Sequence, residues 1–396
     1  MARNNDVILA LNQQAQARKA AGFDVTNGSI GMMYRDDGHL PVSAALRGIL
    51  AKHTADEDLT YPSVAGGSEY QNALRHWFLG DAFEEEVKAG EFASLGTPGG
   101  TGAVALSFHV AQKGKTAVLL PSLDWPNYEG IAKGFGDETL YYELFKGDSL
   151  NLEAITARIE DGVKTFDSLL LVINDPCQNP TGYALKEEEW EAVVSLLNAQ
   201  KGKVSLLIDA AYIDFAETAQ RQNLIKALKS LSKEVPAYLC FSFSKTLSFY
   251  GLRIGALALY QKDQAALQER YHAAVMGARA LWSTPNHMAM NAITEILSSP
   301  EGFEALKEET KENRAIVAKR AAIFFQEAKA IGLVTYPYTY GFFVTLPVPD
   351  AVSLSAKLVK KDIFLAPIQP QALRVALCSV PTPKIYGLAQ AIKEAL

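Results

Sequence analysis

Apolar residues gather into five short runs: Thr116–Pro121, Ser168–Asn174, Val204–Asp209, Tyr238–Phe243 and Ile254–Leu259. Runs of this length read as buried strands. Longer stretches with helical spacing separate several of them. The clearest is Glu187–Gln200, where Trp190, Val193, Val194 and Leu197 share one face. Strands alternating with amphipathic helices predict a mainly parallel sheet covered on both faces. The last two runs are joined by a loop and need not be parallel to each other. Beyond residue 300 the pattern changes. A charged helix is expected over Pro300–Ala330, short strands near Gly341–Leu346 and Ala372–Leu377, and a closing helix over Pro383–Leu396. That pattern predicts a second, smaller α/β domain. The N-terminal segment shows no core of its own, so it either completes the small domain or reaches a partner subunit. The expected division is an arm with part of the small domain at 1–43, a large domain at 44–308 and a small domain at 309–396.

Composition narrows the function classes. With 396 residues the chain is too long for one small core, and 48% hydrophobic with 21% charged residues is ordinary for a soluble protein. The formal net charge of -6 argues against general nucleic-acid binding, which requires a basic face. No stretch reaches the roughly 20 apolar residues of a membrane helix, and the first residues carry no signal core. Cys177, Cys240 and Cys378 are odd in number and widely spaced, which suggests neither a disulfide framework nor a zinc cluster. No metal site is expected from the histidine spacing, and the expected compartment is the cytoplasm. There is no internal repeat.

Five clusters carry candidate chemistry. The strongest is Phe241-Ser242-Phe243-Ser244-Lys245, followed by Tyr250-Gly251-Leu252-Arg253-Ile254-Gly255. A lysine amine can form a Schiff base with an aldehyde cofactor. Ser242, Ser244 and Arg253 are suited to a phosphate, since an arginine binds two oxygens at once. Lys245 alone would read as a surface lysine; its neighbours change that. The second cluster, Asn174-Asp175-Pro176-Cys177-Gln178-Asn179-Pro180-Thr181-Gly182, follows a strand, where open α/β sheets bind ligands. The third is Asp209-Ala210-Ala211-Tyr212. A buried carboxylate there stays ionised only beside a cation such as a protonated pyridine nitrogen, although an aspartate capping a helix is the plainer alternative.

The fourth cluster, Thr97-Pro98-Gly99-Gly100-Thr101-Gly102-Ala103, opens a helix expected over Val104–Gln112. Free amides at a helix start attract phosphate. Its glycines lack the spacing of a dinucleotide fingerprint, and the segment before them is a weak strand. The fifth, Leu123-Asp124-Trp125-Pro126-Asn127-Tyr128, offers an indole that could stack on an aromatic ring or simply fill the core. Together the clusters supply a phosphate cradle, a ring stacker, partners for a phenolic oxygen and a pyridine nitrogen, and a reactive amine.

These residues resemble the class I aminotransferases, in particular the aspartate and aromatic amino acid branch. The markers are Asn179-Pro180-Thr181-Gly182, Asp209 with Tyr212, and Ser242 through Lys245 to Arg253 and Gly255, and the likeness runs from about Gly28 to Arg374. The resemblance implies a fold type I, pyridoxal 5'-phosphate-dependent enzyme that forms a homodimer with shared active sites. It implies Lys245 as the Schiff-base lysine and proton shuttle, Asp209 on the pyridinium nitrogen, and Asn179 and Tyr212 on the phenolic oxygen. Trp125 would stack on the ring, and Gly100, Thr101, Ser242, Ser244 and Arg253 would hold the phosphate. Tyr61 would reach the phosphate of the neighbouring subunit. Arg374 and the backbone of Gly31 would grip the substrate α-carboxylate, and Arg279 a distal carboxylate across the interface.

Some positions depart from that family. Asn174 and Tyr128 stand where histidine is usual, and Ser283-Thr284-Pro285-Asn286 replaces Ser-Asn-Pro-Pro. Gly28-Ser29-Ile30-Gly31-Met32-Met33-Tyr34 is more apolar than usual, and adaptable methionines suit an aromatic substrate. The expected reaction moves the amino group of aspartate or an aromatic amino acid to 2-oxoglutarate by a ping-pong mechanism. A carbon–sulfur lyase on the same fold would leave Arg279 with less purpose. A regulatory cofactor-binding module would need a DNA-binding domain, and a nicotinamide dehydrogenase a strand-linked G-x-G-x-x-G.

Overall fold

The computed structural model describes residues 5–396. In chain order its strands are β1 (Thr26–Gly28), β2 (Phe92–Thr97), β3 (Thr116–Pro121), β4 (Glu138–Tyr142), β5 (Phe145–Lys146), β6 (Ser149–Leu150), β7 (Ser168–Asn174), β8 (Val204–Asp209), β9 (Ala237–Ser242), β10 (Gly255–Tyr260), β11 (Phe343–Pro347), β12 (Ile363–Gln369) and β13 (Ala372–Ala376). Seven form one sheet in the order β2-β10-β9-β8-β7-β3-β4. β3, β7, β8 and β9 are parallel, as their apolar runs predict, and β4 adds a parallel edge strand beside β3. Every residue of β7 is buried. Leu169, Leu171 and Ile173 enter the apolar cluster on one face, and Leu170 and Val172 the cluster on the other. That is the alternation of a strand covered on both sides. The helix Glu187–Ala199 buries Trp190, Val193, Val194 and Leu197 against the first face. The helix Gly99–Ala111 puts Val104, Leu106 and Phe108 into the second.

β10 is antiparallel to both neighbours, and its register matters for the site. Gly255 lies opposite Ser242 on β9 and opposite Thr97 on β2. The chain ends of β9 and β2 are thereby brought to one place, each just before a candidate phosphate-binding segment. On the parallel side, Asn174 pairs with Asp209 and Asp209 with Cys240. The C-terminal ends of β7, β8 and β9 thus form one rim.

The second sheet has the order β1-β12-β13-β11. β1 runs parallel to β12, and the helix Asn5–Ala20 also packs on β12, with Arg18 Nε 2.6 Å from Asp362 Oδ1. The described part of the N-terminal segment therefore completes the small sheet, one of the two alternatives left open above. A single helix, Pro300–Ala330, joins the two halves. Ser299 caps it, its Oγ accepting from Gly302 N at 3.1 Å, and Pro300 occupies the first turn, where no N–H is needed. Leu306 belongs to a large-sheet cluster and Phe324 to the small-sheet cluster, so the expected boundary at 308/309 falls inside one continuous helix.

Several expected bounds move. The fourth and fifth strands shift by one residue, because Ser242 Oγ accepts from Ser244 N at 3.3 Å and starts the short helix Phe243–Thr246. The segment before the glycine cluster is a full strand, β2, paired along its whole length with β10. The helix after it begins at Gly99 rather than Val104. The closing helix is two pieces, Thr382–Ile385 and Leu388–Ala395, separated at Gly387, whose φ of 78° lies in the left-handed region. β4, an edge strand of mixed polarity, carries no clear apolar run and is absent from the sequence reading.

Candidate active site

A cavity of about 170 Å³ opens at the rim formed by β7, β8 and β9. Ten of the expected site residues line it: Gly100, Thr101, Trp125, Asn179, Asp209, Tyr212, Ser242, Ser244, Lys245 and Arg253. Asn174, Ala211 and Tyr250 line it as well, without having been assigned a role from sequence. Tyr250 carries a readable signal, since it sits inside the Lys245–Gly255 cluster. Its phenol accepts a hydrogen bond from Met33 N at 2.7 Å, and its ring lies 4.9 Å from Lys245 Nζ.

One end of the cavity is built for an anion. The thirteen-residue helix Gly99–Ala111 points its N-terminus there, with free amides and the positive end of its dipole. A Cβ on Gly99 would stand 2.5 Å from Arg253 Nη2, so only glycine leaves the backbone this close to the guanidinium. A Cβ on Gly255 would collide with the Phe241 carbonyl, which explains the glycine at the β9–β10 junction. Arg253 has φ 55° and donates to Ser244 Oγ and Tyr250 O, each at 3.0 Å. Two buried hydroxyls, an arginine and a helix start converge on one spot.

The centre holds a carboxylate and an amine. Burial pushes the Asp209 carboxyl above its usual range, opposed by hydrogen bonds from Tyr128 Oη at 2.6 Å and Ala211 N at 3.2 Å. Asn174 Nδ2 donates to the Asp209 carbonyl at 2.7 Å, and Asn174 Oδ1 accepts from Asn179 N at 2.6 Å. The two departures from the histidine pattern thus both meet Asp209, Tyr128 at its carboxylate and Asn174 at its backbone carbonyl. Lys245 Nζ donates to Gly31 O at 2.8 Å and lies among the rings of Tyr212, Tyr250 and Phe342. Burial lowers its pKa to about 8, with repulsion from Arg374 and Arg253 adding to the effect. A lysine tuned in this way is a usable nucleophile and base near neutral pH.

Arg374 on β13 sits beside this centre although it comes from the small sheet. It is 3% exposed, and burial lowers its pKa to about 10. Nη1 donates to Asn179 Oδ1 at 3.0 Å and Nη2 to Ser29 O at 2.8 Å, while Nε is buried with no partner. A buried guanidinium facing neutral groups, with a donor to spare, is prepared for a carboxylate. Gly31 adjoins it: a Cβ there would meet Phe343 Cζ at 2.6 Å, and the Arg374 guanidinium lies 4.3 Å from the Phe343 ring centre. The remaining two candidates lie elsewhere. Tyr61 is 87% exposed, and Arg279 is exposed with Nη1 on Ser283 Oγ at 2.6 Å. Neither lines the cavity of its own chain.

These residues fit pyridoxal phosphate. The glycine-backed helix start with Ser242, Ser244 and Arg253 suits the phosphate, Lys245 the aldehyde, and a buried carboxylate with no ion pair among the described residues suits the ring nitrogen. Comparison with known proteins agrees. The family model for aminotransferase class I and II matches residues 24–392. An aromatic-amino-acid aminotransferase of Paracoccus denitrificans is 27% identical over 75% of this chain and 73% of its own. An aspartate aminotransferase of Pseudomonas aeruginosa is 25% identical over the same shares. A solved aminotransferase from Anaerococcus prevotii superposes with a TM-score of 0.92 at 27% identity, covering 99% of this chain and 96% of that one. From β2 to β13 the geometry and the likeness coincide, and the chain belongs to the class I and II aminotransferase family.

Proposed function

We propose that this aminotransferase carries pyridoxal 5'-phosphate on Lys245 and moves the amino group of aspartate or an aromatic amino acid to 2-oxoglutarate. The observation that carries this reading is the grouping of a buried amine, a buried carboxylate with no ion pair among the described residues, and a buried arginine with a free donor around one cavity. When bound, the cofactor supplies an electron sink that weakens the substrate Cα–H bond. The chain supplies the rest. Gly100, Thr101, Ser242, Ser244 and Arg253 hold the phosphate, and Trp125 lies against the ring. Asp209, fixed by Tyr128 and Ala211, stays ionised opposite a protonated ring nitrogen and keeps that proton in place. Asn179 and Tyr212 donate to the phenolic oxygen. Arg374 and the backbone of Gly31 bind the substrate α-carboxylate. With the cofactor bound, Lys245 Nζ would be the group placed to take the proton from the substrate Cα, as base, and to return it later as acid.

The distal carboxylate of a dicarboxylic substrate is assigned to Arg279, and an added phosphate contact to Tyr61, both from the second subunit of a homodimer. Support comes from exposure: Leu59, Tyr61, Met276 and Leu281 are large apolar side chains left in solvent near these two residues in sequence.

The test is an absorbance titration. The purified protein, supplied with pyridoxal phosphate, should develop a visible band that bleaches with aspartate and with tyrosine or phenylalanine, and returns with 2-oxoglutarate. Absence of the band after cofactor is added would remove Lys245 from its role.

A further inference from the structure

A second cleft, of about 520 Å³, lies outside the active site, between the helix Ser68–Leu79, the segment 214–221 and the first turns of the long helix Pro300–Ala330. Its volume is within the usual range for small-molecule sites. The inner wall is aromatic: Trp77 is buried and meets Phe303 edge-on at 5.1 Å between ring centres. Four cations line it, Arg221, Lys307, Lys311 and Arg314, against three carboxylates, Asp214, Glu217 and Glu308.

The carboxylates are not equally available to those cations. Asp214 is buried and fully used, accepting from Arg221 Nη2 at 2.7 Å, Trp77 Nε1 at 3.1 Å and Thr246 Oγ1 at 2.6 Å. Lys307 and Lys311 are paired only with Glu304 and Glu308 one turn away, in exposed contacts worth at most a few tenths of a kcal/mol each, so they can turn to a ligand at little cost. Arg314 donates to the Ala216 carbonyl at 2.7 Å and has no ion pair among the described residues. With Glu304 counted beside Lys307, cations and carboxylates balance, and Arg314 is the cation of the cleft left without an ion pair among the described residues, over an aromatic wall. One guanidinium without an ion pair, flanked by two lysines in weak exposed pairs, matches a single carboxylate better than a polyphosphate, and Trp77 with Phe303 offers faces and edges for a flat ring.

We propose that this cleft binds a small monoanionic aromatic acid, its carboxylate among Lys307, Lys311 and Arg314 and its ring against Trp77 and Phe303. The cleft is joined to the reaction centre by a short route, because Asp214 holds both Arg221 in its wall and Thr246, the residue after Lys245.

The experiment is a calorimetric titration of the cofactor-loaded protein with phenylacetate, comparing wild type with Lys307→Gln/Lys311→Gln and, separately, with Phe303→Leu. Neither lysine lines the active-site cavity, so transamination without phenylacetate should be unchanged in the double variant. The wild type is expected to bind one more equivalent per chain than either variant, or to bind that equivalent at least about tenfold more tightly, the loss expected for one charge-assisted contact. Equal stoichiometry and affinity in all three proteins would overturn the proposal, whether all binding then falls to the active site or none occurs. Because the readout is binding, its failure leaves the transaminase reading untouched.

Discussion

At the scale of single residues the site depends on two groups held away from their usual ionisation. Lys245 is brought to about 8 mainly by burial, so its neutral, nucleophilic fraction grows as pH rises, reaches half near that value and nears completion roughly one to two pH units above it. The rate at which cofactor-free protein captures pyridoxal phosphate, followed by stopped-flow absorbance, should therefore climb with pH, pass its half-maximum near 8 and level off short of the ordinary lysine range. A rate still rising steeply towards the ordinary lysine range would show that burial does not tune this amine. Replacing Lys245 by Ala should abolish turnover while circular dichroism and thermal unfolding stay close to wild type; normal transamination in that variant would sink the mechanism. Asp209 depends on the 2.6 Å hydrogen bond from Tyr128. Tyr128→Phe keeps the ring that packs edge-on to Trp125 and removes only the donor. A hydrogen bond to a charged group contributes about 1.5–3 kcal/mol, so kcat should fall by roughly tenfold or more with little change in KM for the amino acid. Unchanged kcat would mean that Ala211 N alone suffices to hold the carboxylate.

At the scale of elements, the reversal of β10 is what assembles the phosphate end. Parallel β9 and its neighbours deliver Asp209 and Ser242 to one rim, but Gly99–Thr101 belongs to the far side of the sheet. β10, lying antiparallel between β9 and β2, brings them together at Gly255. Gly255→Ala would press a methyl group into the Phe241 carbonyl and within 2.8 Å of Gly99 C. The expected cost is about 1–3 kcal/mol in urea unfolding, with a larger proportional loss of cofactor affinity than of stability, since the strain falls on the cradle. A variant that binds the cofactor normally would show that the junction relaxes. The buried parallel strands were legible because a strand covered on both faces must be apolar throughout, as Leu169–Ile173 is. β4 was not, because an edge strand obeys no such demand, and β2 looked weak because its partner, β10, lies more than 150 residues away in sequence. Ten residues that line the cavity were legible because they sit in short local clusters at strand ends. Tyr128 and Asn174 were visible only as oddities; that they converge on Asp209, from 81 and 35 residues away, is a fact of tertiary structure.

At the scale of the whole molecule, the active site draws on both sheets. Arg374 on β13 reaches Asn179, Lys245 reaches Gly31, and Thr345 on β11 donates to Pro180 O at 2.6 Å. The long helix binds the halves together, and its fully buried Arg320 donates to Tyr34 O, Cys378 O and Asp36 Oδ1, each at 2.8 Å. One class of contact is missing from a single chain. Tyr61 and Arg279 are exposed and outside their own cavity, while the role proposed for each requires touching the ligand. If those roles are real, two chains must complete each other's sites, and complementation follows from symmetry. Lys245→Ala is inactive through its own cavity, and Arg279→Ala is impaired on dicarboxylates through its partner's. In a hybrid dimer one site carries both defects and the other carries neither. After mixing and random reassortment, half the dimers are hybrids with one intact site of two, so aspartate transamination should return to about a quarter of the wild-type rate. Self-contained chains would instead show only the sum of the two parent activities, and Arg279 would then be a surface residue paired with Ser283 and nothing more.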